Sequence, residues 1–161
     1  MQAIANGSII DLLRCISCFG THLVRHDIRQ HSERHSRVLE EICSHLDLGD
    51  YSKWSEDKKQ KYLLDEIVGN RPLIGSDLVL TSESLEVLKT FELIAKQPQE
   101  ALGAYVISMA KRPSDILVVQ LLLKEMGCKG HLPVVPLFET LDDLNNANGS
   151  IEILLKNKSY K

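Results

Sequence analysis

The run Val134-Val135-Pro136-Leu137-Phe138 is wholly apolar and stops abruptly at Glu139. In parallel α/β folds chemistry gathers at the carboxyl ends of strands, where loops lead into helices whose N-termini attract anions. Glu139 is expected at such an end, just before a helix start at Thr140. A second stretch closes in Asp27-Ile28-Arg29 shortly before another helix start at Ser32. Arginine offers a planar donor fork that stays charged at any working pH, and glutamate is a hard oxygen ligand for a divalent cation. Arg29 and Glu139 on one rim would therefore suit an anionic substrate bound together with a divalent metal. Opposite charges at strand ends can equally stay solvated or pair with each other, and position alone does not choose between these.

Cys15 and Cys18, followed by His22, His26, His31 and His35, resemble a zinc constellation on paper. The spacing argues against it, because a zinc finger needs its two ligand pairs about a dozen residues apart around a turn. Here a helix, a strand and a second helix are expected between them. His35 follows His31 by four residues, which on one helix would place both on one face, yet core and solvated histidines are far commoner than ligands.

The elements that position these residues follow from the apolar rhythm. Ile9, Leu12, Leu13 and Ile16 predict a helix over 2–19 closed by Gly20, and THLVRHDI predicts a strand over 21–28. Val38, Leu39, Ile42, Cys43 and Leu46 line a helix from Ser32. Ser55 with Glu56 and Asp57 reads as the capped start of a helix carrying Leu63, Leu64, Ile67 and Val68, which Gly69-Asn70-Arg71-Pro72 stops. After a loop over 73–81, Leu85, Leu88, Phe91 and Ala95 mark another helix ending at Gln97-Pro98. AYVISMA, residues 104–110, predicts a buried strand, and Ser114 is expected to cap a helix through ILVVQLLLKEM that is apolar nearly all round and hence buried. LPVVPLF, residues 132–138, predicts a third strand, and Thr140 with Asp143 a capping box for the last helix. The order implies a helix-rich α/β fold with about three parallel strands and long helical crossovers. Three strands cannot close a barrel, so the sheet is either small and open or part of a larger one.

Composition narrows the function. With 161 residues, 43% hydrophobic and 25% charged, the chain has the makings of one globular domain, and a net charge of −3 favours no nucleic acid. The longest apolar runs fall well short of the roughly 20 residues that cross a bilayer, and no membrane association is expected. The N-terminus does not read as a signal peptide and the four cysteines are irregularly spaced, so the expected compartment is the cytoplasm.

RHDIRQHSERH, GDYSKWSEDKKQKYLLDEIVGNRPL, AYVISMAKRPSDIL and VVPLFETLDDLNNA together resemble phosphoenolpyruvate carboxylase, in that family's order and spacing, over residues 8–148. The resemblance implies that residues 1–161 are a single internal segment of a much longer, helix-rich barrel of the triosephosphate isomerase type, here a partial (β/α) barrel. It implies the carboxylation of phosphoenolpyruvate by bicarbonate to oxaloacetate and phosphate, an anaplerotic carbon fixation by a lyase that feeds the tricarboxylic acid cycle. Carboxyphosphate and an enolate are the implied intermediates, Mg2+ or Mn2+ the implied cofactor, and a cytoplasmic homotetramer the implied assembly. Arg29 matches the arginine of the family's DIRQ motif, which lines the phosphate site, and Glu139 matches the metal-ligating glutamate of its PLFET motif. His26 and His31 stand where the family usually has an apolar and an acidic residue. The family's second metal-ligating aspartate and glycine-rich phosphate loop are expected beyond Lys161, and its catalytic histidine before Met1. NGSIEILLKNKSYK is expected to depart from the family pattern, as a truncated or misjoined reading frame would, and the isolated chain is expected to be inactive. A noncatalytic helical module derived from that enzyme, binding a protein partner through exposed apolar faces, is the alternative.

Overall fold

A computed structural model describes residues 7–20, 23–128 and 130–156. Its framework is a parallel sheet in the order β1 (His26–His31), β2 (Leu102–Ser108), β3 (Val134–Pro136). Among the described residues six α-helices accompany it: α1 (Ser8–Phe19), α2 (Ser32–His45), α3 (Glu56–Val68), α4 (Ser82–Lys96), α5 (Pro113–Glu125) and α6 (Leu141–Lys156). The molecule is thus helix-rich α/β with crossovers through helices, as the element order required.

α5 explains the arrangement. Its sequence is apolar nearly all round because it packs on α2, α3, α4, α6 and β3, and nine of its residues, among them Ile116, Leu117, Val119, Leu121 and Leu122, are buried. Val38, Leu39, Ile42 and Cys43 of α2 and Val87, Leu88 and Phe91 of α4 complete the core with Tyr105 and Ile107 of β2. Ile28, Gln30, Tyr105, Ile107 and Val134 share one face of the sheet by strand alternation, and this face meets the core. The opposite face bears Arg29, Val106, Ser108 and Val135, all half-buried or exposed.

Several elements differ from their sequence reading. The first strand lies at His26–His31 and not at 21–28; Leu23 has φ 64° and sits in a bend, while Thr21 and His22 fall outside the described residues. β-Branched and apolar character pointed to LV, but pairing with β2 selects the polar HDIRQH, a choice that only the tertiary partner makes. Gly103 belongs to the same junction, because a Cβ there would run into the Asp27 carboxylate, which accepts the Ala104 N–H at 2.9 Å. β2 begins and ends two residues before the expected 104–110, and β3 keeps only three residues of 132–138. Pro133 precedes the latter and Pro136 is its last residue, and neither has the N–H that would extend the ladder.

Helix starts also shift. Ser114 does not cap α5: Pro113 is already helical, and the Asp115 carboxylate accepts the N–H groups of Lys111 at 2.8 Å and Arg112 at 3.0 Å. The expected caps at Ser55 and at Thr140 with Asp143 are present, the latter as reciprocal 3.1 Å bonds. α1 is a helix as expected over 8–19, with 2–6 outside the described residues, but Ile9, Leu12, Leu13 and Ile16 are exposed rather than buried.

Candidate functional site

The site is built where the carboxyl ends of β1, β2 and β3 come together. Arg29 lies within β1, not beyond its end, because the strand runs on to His31; its partner in register is Val106. Glu139 lies three residues past Pro136, in the loop that precedes α6. The structure brings the two together on one rim: Arg29 Nη2 stands 3.5 Å from Glu139 Oε1. The pairing of opposite charges foreseen as one reading of such residues is therefore present. Both side chains remain substantially exposed, so water and ions screen this pair and it is exchangeable.

Glu139 has a firmer anchor that the sequence did not disclose. The backbone N–H of Met109 donates to Glu139 Oε2 at 2.8 Å. Met109 follows β2 directly and has φ 55°, a left-handed conformation that a side chain with a Cβ rarely adopts. That twist turns its N–H to Glu139 and its carbonyl to the Ser32 hydroxyl, which donates at 2.8 Å. Ser32 opens α2, and Ser108 donates from β2 to the carbonyl of Gln30 at 3.3 Å. One backbone outlier thus ties the ends of β1 and β2 to the loop after β3. Outliers of this type cost of order 1–3 kcal/mol and persist where the surroundings over-determine them. Nothing in the residue type methionine announces such a role.

The rim is also where α2 and α5 begin. Their first N–H groups are met by the chain itself, since His31 Nδ1 accepts from Glu33 N at 3.2 Å and Glu56 accepts from Ser114 N at 3.0 Å. Burial pushes the Asp115 carboxyl up, against the N–H groups of Lys111 and Arg112 that favour its charged form. His31 caps α2 from the end of β1, so His31 and His35 do not share a helix face as their spacing suggested. Cys15 and Cys18 are exposed on α1, and His22 falls outside the described residues.

Among the described residues no group of three or more histidine, cysteine, aspartate or glutamate side chains is placed to hold a metal. At the rim Glu139 offers an anionic oxygen donor, with Oε2 held by the Met109 N–H and Oε1 facing an exchangeable partner. That fits a hard divalent cation which takes one or two carboxylates and keeps several waters.

A family model described as phosphoenolpyruvate carboxylase matches residues 1–161. The chain belongs to the phosphoenolpyruvate carboxylase family. Among its curated relatives are proteins named phosphoenolpyruvate carboxylase from Photorhabdus laumondii and Shewanella sediminis, each 53% identical over 161 residues, and one from Hahella chejuensis, 52% identical. Each comparison covers 100% of this chain and 18% of the relative, so the chain spans about a fifth of the length of the phosphoenolpyruvate carboxylases it matches. The match includes 148–161, which corrects the expectation that NGSIEILLKNKSYK departs from the family pattern. No helix among the described residues is long and apolar enough to cross a membrane.

Proposed function

We propose that these residues supply one rim of a phosphoenolpyruvate carboxylase active site, in which Arg29 receives the phosphate of phosphoenolpyruvate and Glu139 ligates Mg2+ or Mn2+. The observation that carries this reading is the meeting of Arg29 and Glu139 at the carboxyl edge of a parallel sheet, with Glu139 braced by the Met109 N–H. A guanidinium fork matches phosphate oxygens bidentately and would exchange its exposed carboxylate partner for a dianion. The Met109 N–H holds Glu139 Oε2 and leaves Oε1 to face the cation, so the carboxylate is oriented before anything binds. A divalent ion held there would supply positive charge beside the enolate oxygen that is freed when the phosphoryl group passes from phosphoenolpyruvate to bicarbonate.

The remaining groups of the site, including a second metal carboxylate, a phosphate loop and a catalytic histidine, belong in this reading to parts of the family's length outside residues 1–161. The three strands then form part of a (β/α) barrel of the triosephosphate isomerase type, and the half-exposed sheet face carrying Arg29, Val106 and Val135 suits the inside of such a barrel. A cytoplasmic homotetramer is the assembly that accompanies this reading. The test is made in the full-length protein carrying these residues. Arg29→Gln and Glu139→Gln are each expected to lower kcat/KM about 100-fold or more, the first mainly through KM for phosphoenolpyruvate and the second with a raised metal requirement. Unaltered kinetics in both variants would sink the assignment.

A further inference from the structure

We propose that Gln30, His35 and Tyr105 form a positioning relay beneath the candidate site, which fixes the register of β1 on β2 and so holds Arg29 opposite Glu139; the importance of that alignment rests on the role proposed for Arg29. β1 reads HDIRQH and contains one apolar residue, Ile28, so burial of hydrophobic side chains specifies its register only weakly. The strand is already irregular, since the pairing with β2 slips between His26 and Ile28. A further slip of one residue would exchange the two faces, sending Arg29 to the core and Gln30 to the rim. Something other than apolar pattern must forbid it.

The relay supplies that information. Gln30 is paired with Ile107, and its side chain is on the face opposite Arg29. The hydroxyl of Tyr105, a residue with no exposed surface, donates to Gln30 Oε1 at 2.9 Å. His35 Nε2 stands 2.8 Å from that hydroxyl oxygen and 3.2 Å from Gln30 Oε1. The hydroxyl has one proton and gives it to Gln30, so the imidazole must carry its proton on Nε2 and donate to Tyr105. The other tautomer would leave an Nδ1–H donor buried, and Nδ1 has no partner among the described residues. A bare acceptor nitrogen there is the cheaper defect. Phe91 closes the relay, stacked on Tyr105 at 5.1 Å and edge-on to His35 at 6.0 Å. Inside apolar surroundings a chain of donors and acceptors is satisfied in one register and broken in its neighbours, which is how a polar network selects one strand pairing.

Two measurements test the relay. With 15N-histidine in the 161-residue chain, one of the six imidazoles is expected to keep an Nε2–H and a protonless Nδ1 from about pH 7 to about pH 5, and its signals to vanish in His35→Gln. An Nδ1–H form of that ring, or its protonation in the ordinary histidine range, overturns the proposal. In the full-length protein, Tyr105→Phe and His35→Leu are expected to raise KM for phosphoenolpyruvate about fivefold or more with kcat changed less than about twofold. His35→Gln, which returns an N–H near the position of Nε2, is expected to recover most of that loss. If Arg29→Gln raises KM strongly while Tyr105→Phe and His35→Leu do not, the relay is refuted. If Arg29→Gln is itself without effect, the substrate role of Arg29 fails instead. The relay then stands on amide exchange over residues 28–31, expected to be about tenfold faster in Tyr105→Phe and refuted if unchanged.

Discussion

Mild acid is expected to destabilise this fold through His35. The ring is buried, and burial together with the nearby Arg34 and His31 pushes its pKa down to about 3. The groups packed against it are Gln30 from β1, Tyr105 from β2 and Phe91 from α4, none of which is an acid that could stabilise an imidazolium. Arg34 itself is paired with Glu86 at 2.8 Å. In the unfolded chain the same histidine takes up a proton below its ordinary pKa of about 6.5, so between that value and about 3 the unfolded state binds more protons than the folded one. Stability from this group is therefore complete above the unfolded pKa and falls as the pH drops below it. Integrated from about pH 7 to about pH 5 with the folded form neutral, the loss is about 2 kcal/mol. Urea unfolding of the chain and of His35→Gln at pH steps across this window reads it directly, as a midpoint that falls with acid in the first protein and less so in the second. Other shifted groups, such as Asp50, lowered to about 2 by the Lys53 ammonium, and Asp115, pushed up by burial, belong to both proteins and cancel in the difference. Equal losses in both, or no loss in the unaltered chain, would refute a buried neutral His35.

Leu121→Ala, at a fully buried position of the central helix α5, is expected to cost about 2–5 kcal/mol, read from the same urea midpoints. Thr140→Ala removes the oxygen that accepts the Asp143 N–H at the start of α6 and is expected to cost about 1 kcal/mol, with fraying of that helix visible in amide exchange. Titration with zinc against a competing chelator is expected to show no nanomolar site at Cys15 and Cys18; a stoichiometric site lost in Cys18→Ala would contradict this. The isolated chain is expected to give no oxaloacetate in an assay coupled through malate dehydrogenase, because one carboxylate leaves most of a magnesium shell to water. Turnover that disappears with Glu139→Gln would show that these residues suffice.

Local signals carried much of the architecture. The 3.6-residue rhythm of α2 and α4, the all-round apolar face of α5 and the cap at Thr140 and Asp143 are properties of neighbouring residues, so they can be read without a partner. The rim position of Glu139 was legible for the same reason, since an apolar strand running into a capped helix leaves the short loop between them at the sheet edge. β1 was misplaced because HDIRQH has neither the apolar content nor the β-branching of a strand; it is extended only because β2 offers it a ladder and the relay a register. Arg29 was consequently assigned to a strand end when it lies inside the strand. Ile9, Leu12, Leu13 and Ile16 show the converse, a helix stripe correctly recognised whose burial no local rule decides. The left-handed Met109, its bond to Glu139 and the neutral His35 arise from contacts between residues 30 or more positions apart, and only the folded chain brings those atoms within reach.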